Sequence, residues 1–135
     1  MEISSYLTFN GNCREAMSFY QQCLGGELTL QTIAESPMAK KMPYSMRNAI
    51  LHATLQNGTL KILASDMVSE KGLTVGNSVS LMLNCDSELE IKEKYSNLSE
   101  GGKKEHPLEN TFWGAIFGDV TDKFGHHWLL HFQKN

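Results

Sequence analysis

Two stretches of the chain have the apolar spacing of amphipathic helices. The first runs from Cys13 to Leu24, with apolar side chains at three- and four-residue intervals, and it ends at two glycines. The second follows Asp86, carries its apolar stripe to Leu98 and also ends at two glycines. A residue suited to N-capping precedes each stretch, so we predict two helices.

The rest of the chain consists mainly of short runs that alternate between apolar and polar positions or are rich in β-branched and aromatic residues, which predicts strands. The predicted strands are 3–9, 27–35, 47–56, 59–66, 77–85, 103–108, 112–120 and 126–132. Asn57-Gly58 predicts a tight hairpin with positive φ at both residues. Asp122–Gly125 predicts a second turn, because Asp bonds its own backbone and Gly tolerates a left-handed conformation. Pro107 is expected to end the edge strand before it.

The predicted elements occur in the same order twice. A strand, a helix and three strands occupy residues 1–66, and the same series occupies 77–133, with a polar linker at 67–76. We therefore predict one α+β domain over 1–135, built of two βαβββ modules. One face of each sheet is covered by its helix, and the other two faces are expected to curve into a cup.

Composition and charge narrow the possible functions. The net charge is −3, and the lysines and arginines are scattered, which disfavours a nucleic-acid partner. No run approaches 18 apolar residues and the N-terminus does not resemble a signal peptide, so we expect no membrane partner and a cytoplasmic protein. The three cysteines form no CxxC pair, which predicts buried free thiols rather than disulfides. No GxGxxG motif follows a strand, so a nucleotide or S-adenosylmethionine cradle has no support.

Motifs near both ends of the chain resemble one family. They are Tyr6-Leu-Thr-Phe-Asn-Gly-Asn-Cys13, Phe19-Tyr20, Gly25-Gly26-Glu27, Phe112-Trp-Gly114 and Asp122-Lys-Phe-Gly-His-His-Trp128. This combination resembles the PhnB-like branch of the glyoxalase/bleomycin-resistance/dioxygenase, or vicinal oxygen chelate, superfamily. The resemblance implies paired βαβββ modules, a cupped mixed sheet and a homodimer. It implies less about chemistry, since the superfamily includes metal-dependent enzymes and metal-free binding proteins.

The resemblance also indicates where a metal would be bound. The four ligand places of metal-using members correspond to Ser5, His52, Ser80 and Leu129. Only His52 is a credible ligand, because leucine cannot coordinate and serine coordinates poorly. A slip of one residue would bring in His127 or His131, which share the face of Leu129, so His52 with His131 is a weak candidate for a partial site.

We therefore predict a protein that binds a small organic ligand in its cup without a complete metal site or other cofactor. His52 is the candidate catalytic residue, as a general base on an otherwise aliphatic strand. The predicted ligand-binding residues are Ser5, Phe9, His52, Ser80, Trp113, His127, Leu129 and His131. One alternative is a lyase, isomerase or thiol transferase that uses a divalent metal on a vicinal-oxygen substrate. A second is a protein-interaction module, which would have a collapsed cavity, and the identity of the ligand is left open.

Overall fold

A computed structural model describes residues 1–134 and confirms the duplicated arrangement. The chain divides into two compact units, Met1–Thr74 and Val75–Asn135. Each unit contains one helix and one four-stranded mixed sheet in the order strand, helix, three strands. No helix within residues 1–134 is both long enough and apolar enough to cross a membrane.

The first unit is a sheet covered on one face by a helix. Its elements are β1 (Ser5–Thr8), α1 (Cys13–Leu24), β2 (Glu27–Thr32), β3 (Ile50–Asn57) and β4 (Leu60–Ser65). The strand order is β1-β4-β3-β2, with β1 parallel to β4 and the other pairs antiparallel. The segment between β2 and β3 forms two short 3-10 turns, Pro37–Lys40 and Tyr44–Met46.

Alternation along β3 decides which side chains enter the core of the first unit. Ala53 and Leu55 have no exposed surface and lie on the face of the sheet that α1 covers. Met17 and Tyr20 of α1 are likewise fully buried against this sheet. His52, which precedes Ala53 and points to the opposite face, is exposed. Helix and sheet therefore bury one stripe each, as their sequence periods predicted.

A buried carboxylate, rather than the predicted N-cap residue, holds the start of α1. Asn12 makes no side-chain capping bond. Instead, Asp66 Oδ1 accepts from the backbone N–H groups of Gly11 and Cys13 at 2.9 and 3.0 Å, and its Oδ2 accepts from the N–H of Ile50 at 2.8 Å. Asp66 thereby joins the helix N-terminus, where a negative charge is favourable, to the sheet.

The hairpin between β3 and β4 forms, but its turn is displaced by one residue from the predicted position. Asn57 pairs with Leu60, which makes Gly58 and Thr59 the corner residues. Gly58 has φ 61°, whereas no non-glycine residue within 1–134 has positive φ. Asn57 acts through its side chain instead, because Nδ2 donates to the carbonyl of Leu24 at 2.9 Å and ties the end of α1 to the hairpin.

The second unit repeats the arrangement. Its elements are β5 (Ser80–Asn84), α2 (Glu88–Ser99), β6 (Lys103–Asn110), β7 (Ala115–Thr121) and β8 (His127–Gln133). The strand order is β5-β8-β7-β6, with β5 parallel to β8. Ser87 Oγ caps α2 by accepting from the N–H of Glu90 at 3.0 Å.

Three predicted strand boundaries in this unit are wrong. β5 begins at Ser80 rather than at residue 77. Phe112 lies outside β7, in the turn after β6, and is fully exposed. The edge strand β6 continues through Pro107 to Asn110, because the register of β6 against β7 shifts between Lys104 and His106 and again between His106 and Glu109, the interval that contains Pro107. At such an irregularity the missing N–H of proline removes no bond from the ladder.

The predicted turn at Asp122–Gly125 is confirmed in detail. Gly125, with φ 89°, donates its N–H to the carbonyl of Asp122 at 2.9 Å. Asp122 Oδ1 accepts from the N–H groups of Phe124 and His126, and Oδ2 accepts from Trp128 Nε1 at 2.8 Å. Trp128 is 2% exposed and belongs to the core beside α2. It is therefore an architectural residue.

Candidate functional site

The face of the second sheet that points away from α2, here called the open face, carries polar side chains. On β8, Trp128 and Leu130 are buried beneath α2, while His127, Leu129 and His131 alternate with them and are half-buried. Strand pairing places Asp119 of β7 opposite Leu129. The period-two alternation of these strands thus collects histidines and a carboxylate on one surface.

Four side chains on this face form a continuous hydrogen-bonded series, here called the polar chain. Ser80 Oγ lies 2.6 Å from His127 Nδ1, and His127 Nε2 lies 2.6 Å from Asp119 Oδ2. The other carboxylate oxygen, Oδ1, lies 2.6 Å from His106 Nδ1. The members come from β5, β8, β7 and β6, which are neighbours in that order. The polar chain therefore crosses all four strands of the sheet.

Asp119, at the centre of the polar chain, is 8% exposed. Burial by itself would raise the pKa of its carboxyl. The hydrogen bonds from His127 and His106, with the attraction of any positive charge on those rings, outweigh the burial and hold the pKa of Asp119 below its ordinary value. The carboxylate is thus the stable form at neutral pH, and no buried polar side-chain atom in the described part of the chain lacks a partner.

The position of His106 is set by its backbone and by a glycine on the neighbouring strand. The Tyr95 hydroxyl, on α2, donates to the carbonyl of His106 at 2.8 Å. Gly118 allows β6 to approach closely, since a Cβ there would lie 2.9 Å from Leu108 Cδ2 and 3.1 Å from the His106 carbonyl oxygen. Although its backbone is held, the His106 side chain is 80% exposed. The imidazole is therefore fixed at Nδ1 and accessible elsewhere.

A cavity of about 560 Å³ lies beside this end of the polar chain. Its lining residues are His106, Pro107, Glu109, Asn110, Thr111, Phe112, Trp113, Phe117, Asp119 and Leu129. Trp113 is half-exposed, and its ring meets that of Phe112 edge to face with centroids 4.9 Å apart. An apolar wall and a polar end formed by His106 and Asp119 are the usual features of a small-molecule site.

Five of the predicted site residues belong to the second unit. Ser80 and His127 belong to the polar chain, and Trp113 and Leu129 line the cavity. His131 is on the same strand as His127, and its ring centre is 6.4 Å from that of Phe117.

The other three predicted site residues belong to the first unit. Ser5 is half-buried at the start of β1, where it pairs with the buried Ile62. Phe9 is 3% exposed, so it packs in the core of its unit rather than on an accessible surface. His52 is exposed, and the structure gives it one neighbouring polar side chain, with Nε2 3.4 Å from Thr54 Oγ1.

The side chains do not fit the metal site of the metal-using relatives. No group of three or more His, Cys, Asp or Glu side chains within 1–134 is arranged to hold a metal ion. Of the four corresponding places, Leu129 has no donor atom and the Ser80 hydroxyl is bonded to His127. Hard and borderline divalent metals need three or four N, O or S donors, and this set does not supply them.

The cysteines offer no reactive thiol at this site. Cys13, Cys23 and Cys85 are buried thiols, as predicted. Burial, with the charge of Asp66, raises the pKa of Cys13 to about 12, and burial with the charges of Glu90 and Asp86 raises that of Cys85 to about 11. Both thiols are therefore protonated at neutral pH and poorly nucleophilic.

Three residues of this site, His106, Asp119 and Phe117, were not predicted from the sequence. Asp119 had a signal, because it is a lone carboxylate within the strand Ala-Ile-Phe-Gly-Asp-Val-Thr, and such a charge requires a partner when buried. His106 had none, since it lies on an edge strand whose irregular register the sequence does not reveal.

Comparison with known proteins gives matches along the whole chain. The family model described as 3-demethylubiquinone-9 3-methyltransferase matches residues 1–131. Protein YjdN of Escherichia coli (strain K12) is 35% identical, over 99% of this chain and 97% of that protein. The crystal structure of protein PA1353 from Pseudomonas aeruginosa is 38% identical with a TM-score of 0.84, over 100% of this chain and 99% of that one.

More distant solved structures share the fold. A PhnB protein from Bacillus cereus is 23% identical with a TM-score of 0.75, over 98% of this chain and 99% of that one. A glyoxalase/bleomycin resistance protein/dioxygenase family enzyme from Burkholderia phytofirmans PsJN is 15% identical with a TM-score of 0.64, over 96% and 98% of the two chains. At these identities the likeness concerns the fold alone.

Proposed function

This chain belongs to the 3-demethylubiquinone-9 3-methyltransferase family, a PhnB-like group with the glyoxalase/bleomycin-resistance fold, and from that premise we propose that it binds a small organic ligand in the cavity of its second unit. The observation that carries the proposal is the cavity itself, which combines an aromatic and aliphatic wall with the exposed end of a polar chain. Its volume of about 560 Å³ is within the usual range of ligand sites.

The lining suggests the chemistry of the ligand. Trp113, Phe117 and Leu129 offer an apolar surface on which one or two rings can lie, and an exposed indole is a good stacking partner. At the other end, a ligand hydroxyl, amide or similar group can bond to the His106 imidazole. Glu109 and Asp119 are both carboxylates, so they disfavour a ligand that carries several negative charges.

The proposal is ligand binding rather than methyl transfer from S-adenosylmethionine. The sequence has no GxGxxG after a strand, and a nucleotide-containing cofactor is normally held by such a backbone cradle. The name of the matching family therefore indicates which proteins this chain is related to, and we do not propose the reaction in that name for it.

We further propose that the protein is cytoplasmic and that it forms a homodimer, the second of which the resemblance implies. Support comes from the edge strand β5 and the residue before it, where the apolar side chains of Met82 and Val79 are 50% and 77% exposed. An exposed apolar edge is a favourable place for subunit contact. Light scattering should give twice the chain mass of 15.1 kDa, and a monomeric mass at micromolar concentration would contradict this part of the proposal.

The ligand proposal can be tested with a panel of one- and two-ring fragments that includes 5-nitrobenzimidazole, a flat neutral aromatic. We expect saturable quenching of the Trp113 fluorescence by some members, and no such quenching in Trp113→Phe, where the buried Trp128 remains. Leu129→Ala should weaken binding by roughly tenfold, since burial of one leucine side chain contributes about 1.5 kcal/mol or more.

The matched control is Leu89→Ala, which removes the same atoms from an exposed site on α2, where Leu89 is 77% exposed. It should leave binding unchanged. If no fragment in the panel quenches Trp113, or if the two alanine variants lose affinity equally, the cavity is not the ligand site.

A further inference from the structure

The protons of the polar chain can be assigned from its hydrogen bonds. An ionised carboxylate only accepts, so both imidazoles that contact Asp119 must donate to it. When both rings are neutral, His106 therefore carries its one proton on Nδ1 and His127 carries its one proton on Nε2. His127 Nδ1 is left as an acceptor, and Ser80 Oγ donates to it.

This proton assignment leaves one ring nitrogen at the end of the polar chain, His106 Nε2, to be accounted for. Ser80, His127 and Asp119 use each other's donors and acceptors, which holds the carboxylate in one orientation. His106 Nε2 is then a lone-pair nitrogen with no hydrogen-bond partner in residues 1–134. Because the His106 side chain is mostly exposed and lines the cavity, this nitrogen is available to a ligand there.

The geometry points to His106 as a general acid–base residue of the cavity, with Asp119 as the residue that positions it. An imidazole whose Nδ1–H is bonded to a buried carboxylate is held in the tautomer that presents Nε2 as a base, and the carboxylate stabilises the imidazolium formed after proton transfer. This inference rests on the proposed ligand site and adds a chemical step to it.

The step is a reversible proton transfer with a substrate that bears an acidic C–H, N–H or O–H bond beside an electron-withdrawing group. Nε2 takes the proton, the electron pair of the broken bond stays on the substrate, and the imidazolium keeps its Nδ1–H bond to Asp119. Return of the proton to another atom gives an isomer, and its transfer to a departing oxygen or nitrogen completes an elimination. Atoms and electrons balance in this step without a metal, an oxidant or a further cofactor.

The test uses 5-nitrobenzisoxazole, a two-ring aromatic of suitable size for the cavity. A base removes the C3 proton, the C–H electron pair forms the nitrile, and the N–O bond breaks to give 2-cyano-4-nitrophenolate, which absorbs visible light. We expect saturable acceleration over buffer at the same pH. His106→Gln should lower the protein-catalysed rate by roughly 100-fold, the lower end of what a general base contributes.

The matched control is His126→Gln, a histidine in the Asp122–Gly125 turn region that is outside both the polar chain and the cavity lining. Its rate should equal that of the wild type. Binding of the unreactive 5-nitrobenzimidazole should persist in His106→Gln. Binding with no acceleration, or equal rates in wild type and His106→Gln, overturns the acid–base role and leaves the ligand site standing. Failure of both compounds to bind overturns both.

The positioning role of Asp119 must be tested by a measurement that a loss of stability alone would not change. In nitrogen-15 spectra of the folded protein, His106 should be the Nδ1–H tautomer and His127 the Nε2–H tautomer. Asp119→Asn retains the size of the side chain but places an N–H against one imidazole, which forces that ring to accept. We expect one of the two tautomers to reverse and the elimination rate to fall while the near-UV circular dichroism is retained. An Nε2–H tautomer of His106 in the wild type overturns the inference without any ligand.

Discussion

Replacing Gly118 with alanine should separate β6 from β7 and disturb the polar chain. The new Cβ would lie 2.9 Å from Leu108 Cδ2 and 3.1 Å from both the Leu108 nitrogen and the His106 carbonyl oxygen. Two of these three atoms belong to the backbone, so rotation of the Leu108 side chain cannot relieve the crowding. The edge strand must move by a few tenths of an ångström.

The net effect follows from two opposing contributions. Crowding of one methyl group into a packed site costs about 1–3 kcal/mol. Gly118 has no positive φ, so alanine is compatible with its backbone, and loss of glycine from the unfolded chain returns about 0.4–1 kcal/mol. We therefore expect the free energy of unfolding to fall by roughly 1–2 kcal/mol. Because His106 moves with β6, its 2.6 Å bond to Asp119 should lengthen.

Urea unfolding followed by the fluorescence of the buried Trp128 measures the first effect, and the nitrogen-15 signals of His106 measure the second. The control is a double-mutant cycle with Leu108→Ala, which removes the nearest contact, so Gly118→Ala should cost less in that background than in the wild type. Stabilisation of the Gly118→Ala single variant, which is the outcome expected from chain entropy alone, would refute the packing argument.

Three further predictions concern buried ionisable groups. Asp122→Ala removes the acceptor of three hydrogen bonds and should destabilise the protein by about 3–5 kcal/mol in urea unfolding, with Asp122→Asn intermediate; an effect below about 1 kcal/mol would contradict the assigned bonds. The folded pKa of Asp119 is below its unfolded value of about 3.9, so its contribution to stability is complete above that pH and is lost as the pH falls through the folded pKa. Acid titration of unfolding should therefore be steeper for wild type than for Asp119→Asn, and parallel curves would contradict this. Cys13 and Cys85 should not react with a disulfide reagent at neutral pH until urea unfolds the chain, and fast reaction in the native state would contradict their burial.

The fold could be predicted because its signals are local. Apolar periods of 3.6 and 2 identified the helices and most strands, and Asp122–Gly125 had turn chemistry that the structure retains. The errors occur where a tertiary contact replaces a local one. Asp66 supplies the bonds that Asn12 was expected to make, and β6 passes through Pro107 because its pairing is irregular there. Neither the contacts of Asp66 nor the irregular pairing of β6 can be predicted from the residues that neighbour them in the sequence.

The site was only partly predictable, and strand register explains why. Ser80 was predicted through the family resemblance and His127 through its alternation with Leu129, and the regular parallel pairing of the two strands places them side by side. His106 pairs with Asp119 only because the register of β6 shifts on each side of it, and every one-residue shift exchanges the two faces of a strand. A regular β6 would have carried a different side chain to Asp119 or left it without that partner. The two register shifts, rather than any motif, are therefore what bring His106 to Asp119 and open the end of the polar chain to the cavity.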